Sequence, residues 1–242
     1  MSTGMLNDAL QSVLQVQSRD DFRHEVIRFA QNLGFDYVSA MTVVDQSVNN
    51  SEFIGVDNMP ERMVETVAQL DKACRRDPVM QHCKRAALPI VWNQGTYVKH
   101  GASDLWEEQA AFGYQNGIAL AMHFPEGRHF LMGVDRASNL PGDSHELTRI
   151  VADLQLFAVH AQDAAMRLFV PPTHQLERPN LTPREVESLQ WTMEGKTAWE
   201  VGAILGISER TAVLHLQNAM RKLEAINKHQ AVLKALRLGL IQ

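Results

Sequence analysis

The chain has 242 residues, enough for one large domain or two ordinary domains with a hydrophobic core. Apolar residues make up 45% and charged residues 21%, which excludes a disordered chain, and no apolar run approaches the roughly 20 residues of a membrane span. The net charge of -5 by itself argues against binding to nucleic acid. The N-terminus lacks a basic segment followed by an apolar core, and the two cysteines are Cys74 and Cys83. These features predict a cytoplasmic protein in a reducing compartment, without membrane contact.

Helix and strand patterns alternate up to residue 170. They predict a helix over 5–15, a helix that starts at Ser18 and ends before Gly34, and strands over 35–44 and 52–56. They also predict a helix over 60–70 and a helix that begins at Asp77 and Pro78. An extended segment over 88–92 follows. Asp104 and Glu107 have the spacing of a capping box for a helix reaching about Gly117.

Two apolar runs flank the turn sequence PEGR, which is typical of a hairpin. Asp143 and Glu146 then open a long helix that reaches Phe169. The alternation predicts the α/β class, with an α-β-α sandwich of the sensor type in residues 1–169.

Residues 170–180 contain three prolines and few apolar side chains, so they predict a linker between two domains. The charge changes at the same place. Residues 180–242 carry a net charge of +2, whereas residues 1–179 carry -7. A slightly basic C-terminal domain, residues 181–242, is therefore the part expected to meet an anionic partner.

Capping patterns indicate four helix starts in this C-terminal domain. They are Thr182 with Glu185, Thr197 with Glu200, Ser208 with Thr211, and Asn227 with Gln230. Gly195, Gly206 and Gly239 stand where three of the helices should end. The second and third helices are joined by a tight turn at Gly206, which is the arrangement of a helix-turn-helix.

The third helix, within GISERTAVLHLQNAMRKLEA, has one apolar and one polar face. The residues projected inward are Ala212, Val213, Leu216, Ala219, Met220 and Leu223. The residues projected outward are Arg210, Thr211, Leu214, His215, Asn218, Arg221 and Lys222. Its N-terminal part suits base edges, and its later arginine and lysine suit phosphates. A merely solvated face is the alternative, but four capped helices with a tight second turn favour DNA reading.

The stretch from LTPREVESLQ to INKHQA resembles the C-terminal DNA-binding domain of LuxR-type transcription factors, with Glu185, Leu189 and Gly195 at the family's spacing. The resemblance places the third helix in the major groove. It implies DNA contacts by Arg210, Thr211, His215, Asn218, Arg221 and Lys222, and phosphate contacts by Lys196 and Thr197 at the start of the second helix. It also implies a dimer on a palindromic site of double-stranded DNA.

The N-terminal part resembles the autoinducer-binding domain of LuxR-type quorum-sensing regulators. Asp77, Pro78, Trp92 and Gly117 match the family's positions. The resemblance implies that Asp77 accepts the amide N–H of an acyl-homoserine lactone and that Trp92 packs on the ligand. An N-cap before Pro78 is the alternative role of Asp77. A phospho-receiver is rejected because no acidic pair follows the first strand.

Several expected pocket donors are missing. The family's tryptophan donor and the tyrosine one turn later align with Met63 and Val67, and a frequent serine or threonine aligns with Gly133. Val79 replaces a frequent small hydroxyl residue, whereas Tyr97 is retained. A missing donor in a dry site costs about 1–3 kcal/mol, or one to two orders of magnitude in affinity.

Three interpretations of the pocket stay open. It binds a homoserine lactone, it binds a different small amphipathic signal as in unpaired "solo" members, or methionines fill it. The candidate fillers are Met59, Met63, Met80, Met122 and Met132. A separate hypothesis is an interaction protein that heterodimerises with a related regulator and titrates it, whereas a homodimer would use the long helix 143–169.

The sequence lacks the motifs of common enzymes: no G-x-S-x-G, H-E-x-x-H, P-loop or G-x-G-x-x-G is present. His123 and His129 could approach each other across the hairpin, but two histidines alone rarely bind a metal. We therefore expect neither an enzyme nor a cofactor or metal, and the ligand is the one small molecule predicted.

Overall fold

A computed structural model of the chain describes residues 2–47, 50–59, 76–170 and 179–241. The chain divides into two compact units, one from its N-terminal and one from its C-terminal part. The predicted linker over 170–180 lies largely outside the described residues. Within those residues, none of the helices combines the length and the apolarity that crossing a membrane requires.

The N-terminal unit alternates helices and strands as the sequence predicts. Its helices are α1 (Thr3–Gln15), α2 (Arg19–Asn32), α3 (Pro78–Cys83), α4 (Gln94–Lys99), α5 (Ser103–Ala110) and α6 (Ser144–Phe169). Its strands are β1 (Tyr37–Ser47), β2 (Asn50–Asp57), β3 (Ile90–Trp92), β4 (Asn116–Phe124) and β5 (Arg128–Arg136). The predicted helix over 60–70 lies outside the described residues.

The strands form one sheet in the order β2-β1-β5-β4-β3. β1 runs antiparallel to both β2 and β5, and β3 runs antiparallel to β4. β4 and β5 are joined by the single 3₁₀ turn Pro125–Gly127, which confirms the hairpin predicted at PEGR. Because successive residues of a strand point to opposite faces, β4 and β5 each contribute to two different cores.

One face of the sheet packs against α2 and α6, and α1 packs against these two helices. Phe29 and Phe157 stack at a ring separation of 3.7 Å, and Phe22 meets Phe169 edge-on at 5.3 Å. The apolar stripe of α6 serves this core: Ile150, Leu154, Phe157, Ala158 and Ala161 are all buried. These residues therefore cannot form a dimer surface on this helix, and its exposed large apolar side chains are Leu156 and Val159.

The predicted capping box of α5 is wrong. The helix begins at Ser103 after Ala102, and Asp104 instead forms an ion pair with Arg76, with oxygen–nitrogen distances of 3.0 and 3.1 Å. The helix also ends at Ala110, well before Gly117. Gly113 at φ 94° then turns the chain toward β4, so Gly117 lies in a strand.

The C-terminal unit consists of α7 (Pro183–Met193), α8 (Ala198–Leu205), α9 (Glu209–Lys222) and α10 (Lys228–Arg237). The capping boxes at Thr182 and Thr197 each contain both of their hydrogen bonds, and the side chains of Ser208 and Asn227 cap the other two helices. Gly206 ends α8 in the left-handed conformation, φ 66° and ψ 33°. The four capped helices and the tight turn are thus confirmed.

Gly202 within α8 was not singled out from the sequence, although it shapes this turn. A Cβ at Gly202 would lie 2.9 Å from the Ile207 carbonyl oxygen and 3.1 Å from the Glu209 nitrogen. The Ile207 N–H donates to the Gly202 carbonyl at 2.9 Å. Glycine is needed here because the backbone entering α9 packs directly on α8, and a glycine inside a helical pattern was the available signal.

A buried ion pair closes the C-terminal unit. Glu185 Oε2 accepts hydrogen bonds from the Thr182 N–H and from the Lys222 ammonium, both at 2.7 Å. Lys222 Nζ also donates to the Asn180 carbonyl at 2.9 Å. Burial works against the charge of Glu185, but Lys222 and Thr182 outweigh it and hold the pKa of Glu185 below its ordinary value. Lys222 was predicted to point outward, but its ammonium group instead binds Glu185 and the Asn180 carbonyl within this unit.

We expect Lys222→Met to lower the free energy of unfolding of the C-terminal unit by about 1.5–3 kcal/mol, because a buried carboxylate loses its partner. The double variant Glu185→Gln/Lys222→Met should recover part of the loss. Urea unfolding of the full chain measures both. Because the pKa of folded Glu185 lies below its ordinary value of 4.5, the stability that the pair contributes is fully present above pH 4.5 and is lost as the pH falls through the folded pKa. The destabilisation caused by Lys222→Met should therefore become smaller in acid.

The matched control is Arg184→Met, which removes a cation from the exposed pair with Glu187. An exposed pair contributes at most about 1 kcal/mol, so this variant should unfold nearly like the wild type. Equal losses in Lys222→Met and Arg184→Met would show that burial of Glu185 is unimportant.

Candidate ligand site and DNA-binding surface

The Asp77 carboxylate has two structural roles. Oδ1 accepts from the Val79 and Met80 N–H groups at 2.8 and 2.9 Å, so Asp77 caps α3 and Pro78 is its first residue. Oδ2 accepts from the Tyr97 hydroxyl at 3.1 Å. Capping and the proposed ligand role are therefore compatible, because Oδ2 keeps an unused lone pair beside Tyr97.

Trp92 and Tyr97 form the aromatic wall of the same site. Their rings meet edge-on at 5.7 Å. They belong to a buried cluster that we call the sheet-face cluster, with members Val79, Cys83, Trp92, Tyr97, Ala102, Tyr114, Ala119 and Ala121. Burial and then the Asp77 charge raise the pKa of Tyr97 far above its ordinary value. Tyr97 thus stays a neutral donor.

Cys83 packs within this cluster. It is a free, buried thiol, and burial followed by the Asp77 charge raises its pKa to about 11. A protonated buried thiol is unreactive. Cys74 lies outside the described residues.

Four residues form a row across the sheet on the face of this cluster. Trp92 of β3 pairs with Gly117 of β4, and Tyr37 of β1 pairs with Asp135 of β5. A Cβ at Gly117 would lie 2.4 Å from Asp135 Oδ1 and 2.7 Å from Trp92 Cε2. The missing side chain of Gly117 therefore lets the Asp135 carboxyl and the Trp92 indole approach each other.

Asp135 was missed in the sequence. Its side chain is 9% exposed, and burial, followed by the charge of Asp77, raises its pKa to about 8. The ring of Tyr114 stacks on that of Tyr37 at a centroid distance of 4.5 Å. Burial, followed by the charge of Asp135, raises the pKa of the Tyr114 hydroxyl. Among the described residues, the Tyr114 hydroxyl is buried without a hydrogen-bond partner. The available signal was an acidic residue directly after the apolar run FLMGV of β5.

The remaining predicted ligand residues differ in placement. Val79 is in the sheet-face cluster, and Gly133 lies on the same face of β5, where an added Cβ would be 3.4 Å from Ser39 Oγ. Met63 and Val67 lie outside the described residues.

Of the predicted methionine fillers, Met59 packs against the sheet-face cluster. Met132 and Met122 alternate with residues of this face, Leu131 and Ala121, so they point to the other side of the sheet. They cannot fill this site.

The outer side of α9 exposes Arg210 and Arg221, with Thr211, His215 and Asn218 partly exposed. Arg221 donates to Asn218 Oδ1 at 3.2 Å, and Ser208 caps the helix through the Thr211 N–H at 3.2 Å. Leu214 on the same side is 52% exposed. This surface joins cations, amide and imidazole groups, and an apolar side chain, which are the groups that contact phosphates, base edges and the thymine methyl.

At the start of α8, the predicted phosphate ligands are partly occupied. The Thr197 N–H and hydroxyl both donate to Glu200 Oε2 at 2.8 Å. Lys196 is half-buried, and its backbone N–H donates to the Trp191 carbonyl at 3.0 Å, just after the end of α7. A phosphate at Thr197 would therefore compete with the Glu200 cap.

The two histidines of the hairpin do meet, with their Nδ1 atoms 2.8 Å apart. His129 Nε2 also lies 3.2 Å from Asp45 Oδ2. Across the part of the chain that the structure describes, no group of three or more histidine, cysteine or acidic residues has the placement to hold a metal.

Comparison with known protein families divides the chain as its architecture does. Residues 18–165 match the Autoinducer binding domain, and residues 179–235 match the family described as bacterial regulatory proteins, luxR family. This chain belongs to the LuxR family of bacterial regulatory proteins. Both parts of this LuxR-family regulator match regulatory domains, so it is a DNA-binding transcriptional regulator and not an enzyme.

Relatives of this LuxR-family regulator match over most of its length. The transcriptional activator AhyR of Aeromonas hydrophila is 28% identical over 247 residues, covering 100% of this chain and 94% of the relative. The quorum sensing-dependent regulator RpaR of Rhodopseudomonas palustris is 36% identical over 170 residues, covering 69% and 66%. Among solved structures, Escherichia coli SdiA is 28% identical with a TM-score of 0.74, covering 99% of this chain and 98% of that chain. SdiA in complex with octanoyl-rac-glycerol has a TM-score of 0.73, covering 99% and 96%, also at 28% identity.

We expect Gly117→Ala to destabilise the N-terminal unit of this LuxR-family regulator by about 1–3 kcal/mol through overpacking. The clash includes the Val134 carbonyl at 2.6 Å, so a change of side-chain rotamer cannot relieve it. The measurement is the thermal midpoint of the N-terminal transition.

Gly133→Ala is the matched control for this variant. It adds the same methyl group to the same face of the neighbouring strand, at ordinary distances from Ser39 Oγ and Ala119 Cβ of 3.4 and 4.0 Å. This variant should keep the wild-type midpoint. If Gly117→Ala also keeps it, the close approach at Gly117 does not constrain the fold.

Proposed function

We propose that the protein activates transcription as a cytoplasmic homodimer that binds a palindromic DNA site when its N-terminal unit holds a small amphipathic acyl signal. The exposed polar face of α9, on a domain of the luxR family, supports DNA reading by Arg210, Thr211, His215, Asn218 and Arg221. Activation is proposed because relatives such as AhyR are named transcriptional activators. DNA-binding domains of this class read two half-sites through two-fold pairing.

For the dimer, α6 offers a surface on its outer side. Leu156 and Val159 are 44% and 52% exposed, and they lie one turn apart. A second copy would bury these side chains. Sedimentation equilibrium of Leu156→Asp/Val159→Asp should show fewer dimers than the wild type, and an unchanged dimer fraction would exclude this surface.

For the signal, the site combines an acceptor and aromatic packing. Asp77 would accept an amide N–H, with Trp92 and Tyr97 packing beside it, and Val79 and the Gly117 and Gly133 strands would form the floor. Met63 and Val67 are proposed as further contacts on the family resemblance alone. The related protein SdiA has been solved in complex with octanoyl-rac-glycerol, and the acyl chain of that compound supports an acyl ligand for the present protein. A homoserine lactone and another acyl compound are the two alternatives.

The DNA proposal predicts that Arg210→Ala/Asn218→Ala weakens binding to a duplex that the wild type has selected from a random-sequence library. Each lost contact should cost about 1–3 kcal/mol, or roughly tenfold in affinity. Gel-shift titration at fixed salt measures the loss. Lys222 is unsuitable for this test because its removal would unpair Glu185.

Arg237→Ala is the control, because it removes an equal charge from the exposed C-terminal end of α10. It should bind the duplex like the wild type. A protein that selects no duplex, yet forms heterodimers with a related regulator and lowers its activity, would instead fit the titrating interaction protein.

The ligand proposal predicts that Gly133→Ser binds N-octanoyl-homoserine lactone about tenfold more tightly than the wild type, because it restores a hydroxyl donor to the site. Gly133→Ala carries the same Cβ without the hydroxyl and should show no gain. Isothermal titration calorimetry measures all three proteins. Equal affinities for the serine and alanine variants would place the lactone away from β5.

A further inference from the structure

The ligand site contains a second acid that the family resemblance does not assign. Asp135 follows Gly133 by two residues on β5, so it projects from the same face of the sheet. Its Oδ1 atom lies over Gly117, beside Trp92 Cε2, as the distances of 2.4 and 2.7 Å from a Cβ built at Gly117 show. The carboxyl therefore reaches the aromatic wall of the site.

The surroundings of Asp135 do not account for it structurally. The residue is more than nine-tenths buried, and no described lysine or arginine forms an ion pair with its carboxyl group. The neighbouring Arg136 instead donates to the carbonyls of Gly34 and Asn139. Burying a carboxyl group without a cation is costly, and packing alone would favour an apolar residue.

The groups that face Asp135 leave it uncharged near neutral pH. Asp77 at the start of α3 supplies a negative charge, whereas Tyr97 of α4, Tyr114 before β4 and Tyr37 of β1 supply hydroxyl groups. Burial first, and then the Asp77 charge, raise its pKa to about 8. A carboxyl group in this form is a hydrogen-bond donor, unlike a carboxylate.

We propose that Asp135 contacts the ligand and donates a hydrogen bond from its neutral carboxyl group to a ligand carbonyl oxygen. This proposal rests on the proposed signal-binding function of the N-terminal unit. It supplies a donor to a site in which the residues aligned with the family's donors are Met63, Val67 and Gly133.

The arrangement also defines the class of ligand. Asp77 is an acceptor beside Tyr97, and Asp135 is a donor that lies over Gly117 beside Trp92. The unpartnered hydroxyl of Tyr114 belongs to the same cluster. A ligand head that joins an N–H donor to carbonyl acceptors satisfies both acids, so an acyl amide fits better than a hydrocarbon or an anion. An anionic ligand would place a second negative charge beside the Asp77 carboxylate without a cation to pair with it.

The test compares the wild type with Asp135→Asn and Asp135→Ala. Asparagine keeps the shape and an N–H donor but cannot ionise, whereas alanine removes the donor. The probe is N-octanoyl-homoserine lactone, with octanoyl-rac-glycerol as a second acyl carbonyl compound. Dissociation constants are measured for the full-length proteins from pH 6 to pH 9, and each is divided by that of Asp135→Asn in the same buffer, so that lactone hydrolysis affects both alike.

We expect the ratio of wild-type to Asp135→Asn dissociation constants to be flat below pH 7 and to rise about tenfold by pH 9, because ionised Asp135 no longer donates. Asp135→Ala should bind about tenfold more weakly than the wild type at pH 6.5. Urea unfolding provides a second readout. The raised pKa means that wild-type stability falls as the pH rises from 4 to 8, relative to Asp135→Asn.

Three results would overturn the proposal. They are a flat ratio over the whole pH range, a folded Asp135→Asn that no longer binds at pH 6.5, and a folded Asp135→Ala that binds like the wild type. A purely structural Asp135 would move the unfolding curves and leave the ratio flat. If the wild type binds neither probe, the proposed signal-binding function fails together with this inference, which distinguishes that failure from the other three.

Discussion

The carboxylate of Asp77 is the interaction on which the ligand site depends. One oxygen begins α3 by accepting two backbone N–H groups, and the other holds the hydroxyl of Tyr97 on α4. Two short helices, each too short to be stable alone, are thereby fixed against the sheet. Burial first, and then the negative charge placed here, raise the pKa of its neighbours Cys83, Tyr97 and Asp135.

The sheet separates two packing problems. The face toward α2 and α6 is covered by large apolar side chains, among them Phe130 and Leu154, and it stabilises the N-terminal unit. The opposite face instead carries glycine and alanine on β4, which leaves room for Trp92 and for polar groups. Stability and ligand recognition can therefore change independently, because alternate residues of the same strand serve different faces.

In the C-terminal unit, a similar division falls on α9. Its inner side and the Lys222–Glu185 pair hold the helices together, whereas its outer side leaves cations and amide groups exposed. Helical projection alone placed Lys222 on the outer side. A long flexible side chain can turn toward a buried carboxylate, and the projection of its Cα does not show where the ammonium group lies.

The sequence by itself determined the two-domain α/β and all-α organisation, the four capped helices, the hairpin and the cap at Asp77, because these depend on neighbours within a few residues. Only the tertiary structure decided that the α6 stripe is core, that Asp104 pairs with Arg76, and that Gly117 makes room for Asp135. Each of these joins residues far apart in the chain. Spacing along a sequence fixes the face on which a side chain lies, but only the packed fold determines which group it meets there.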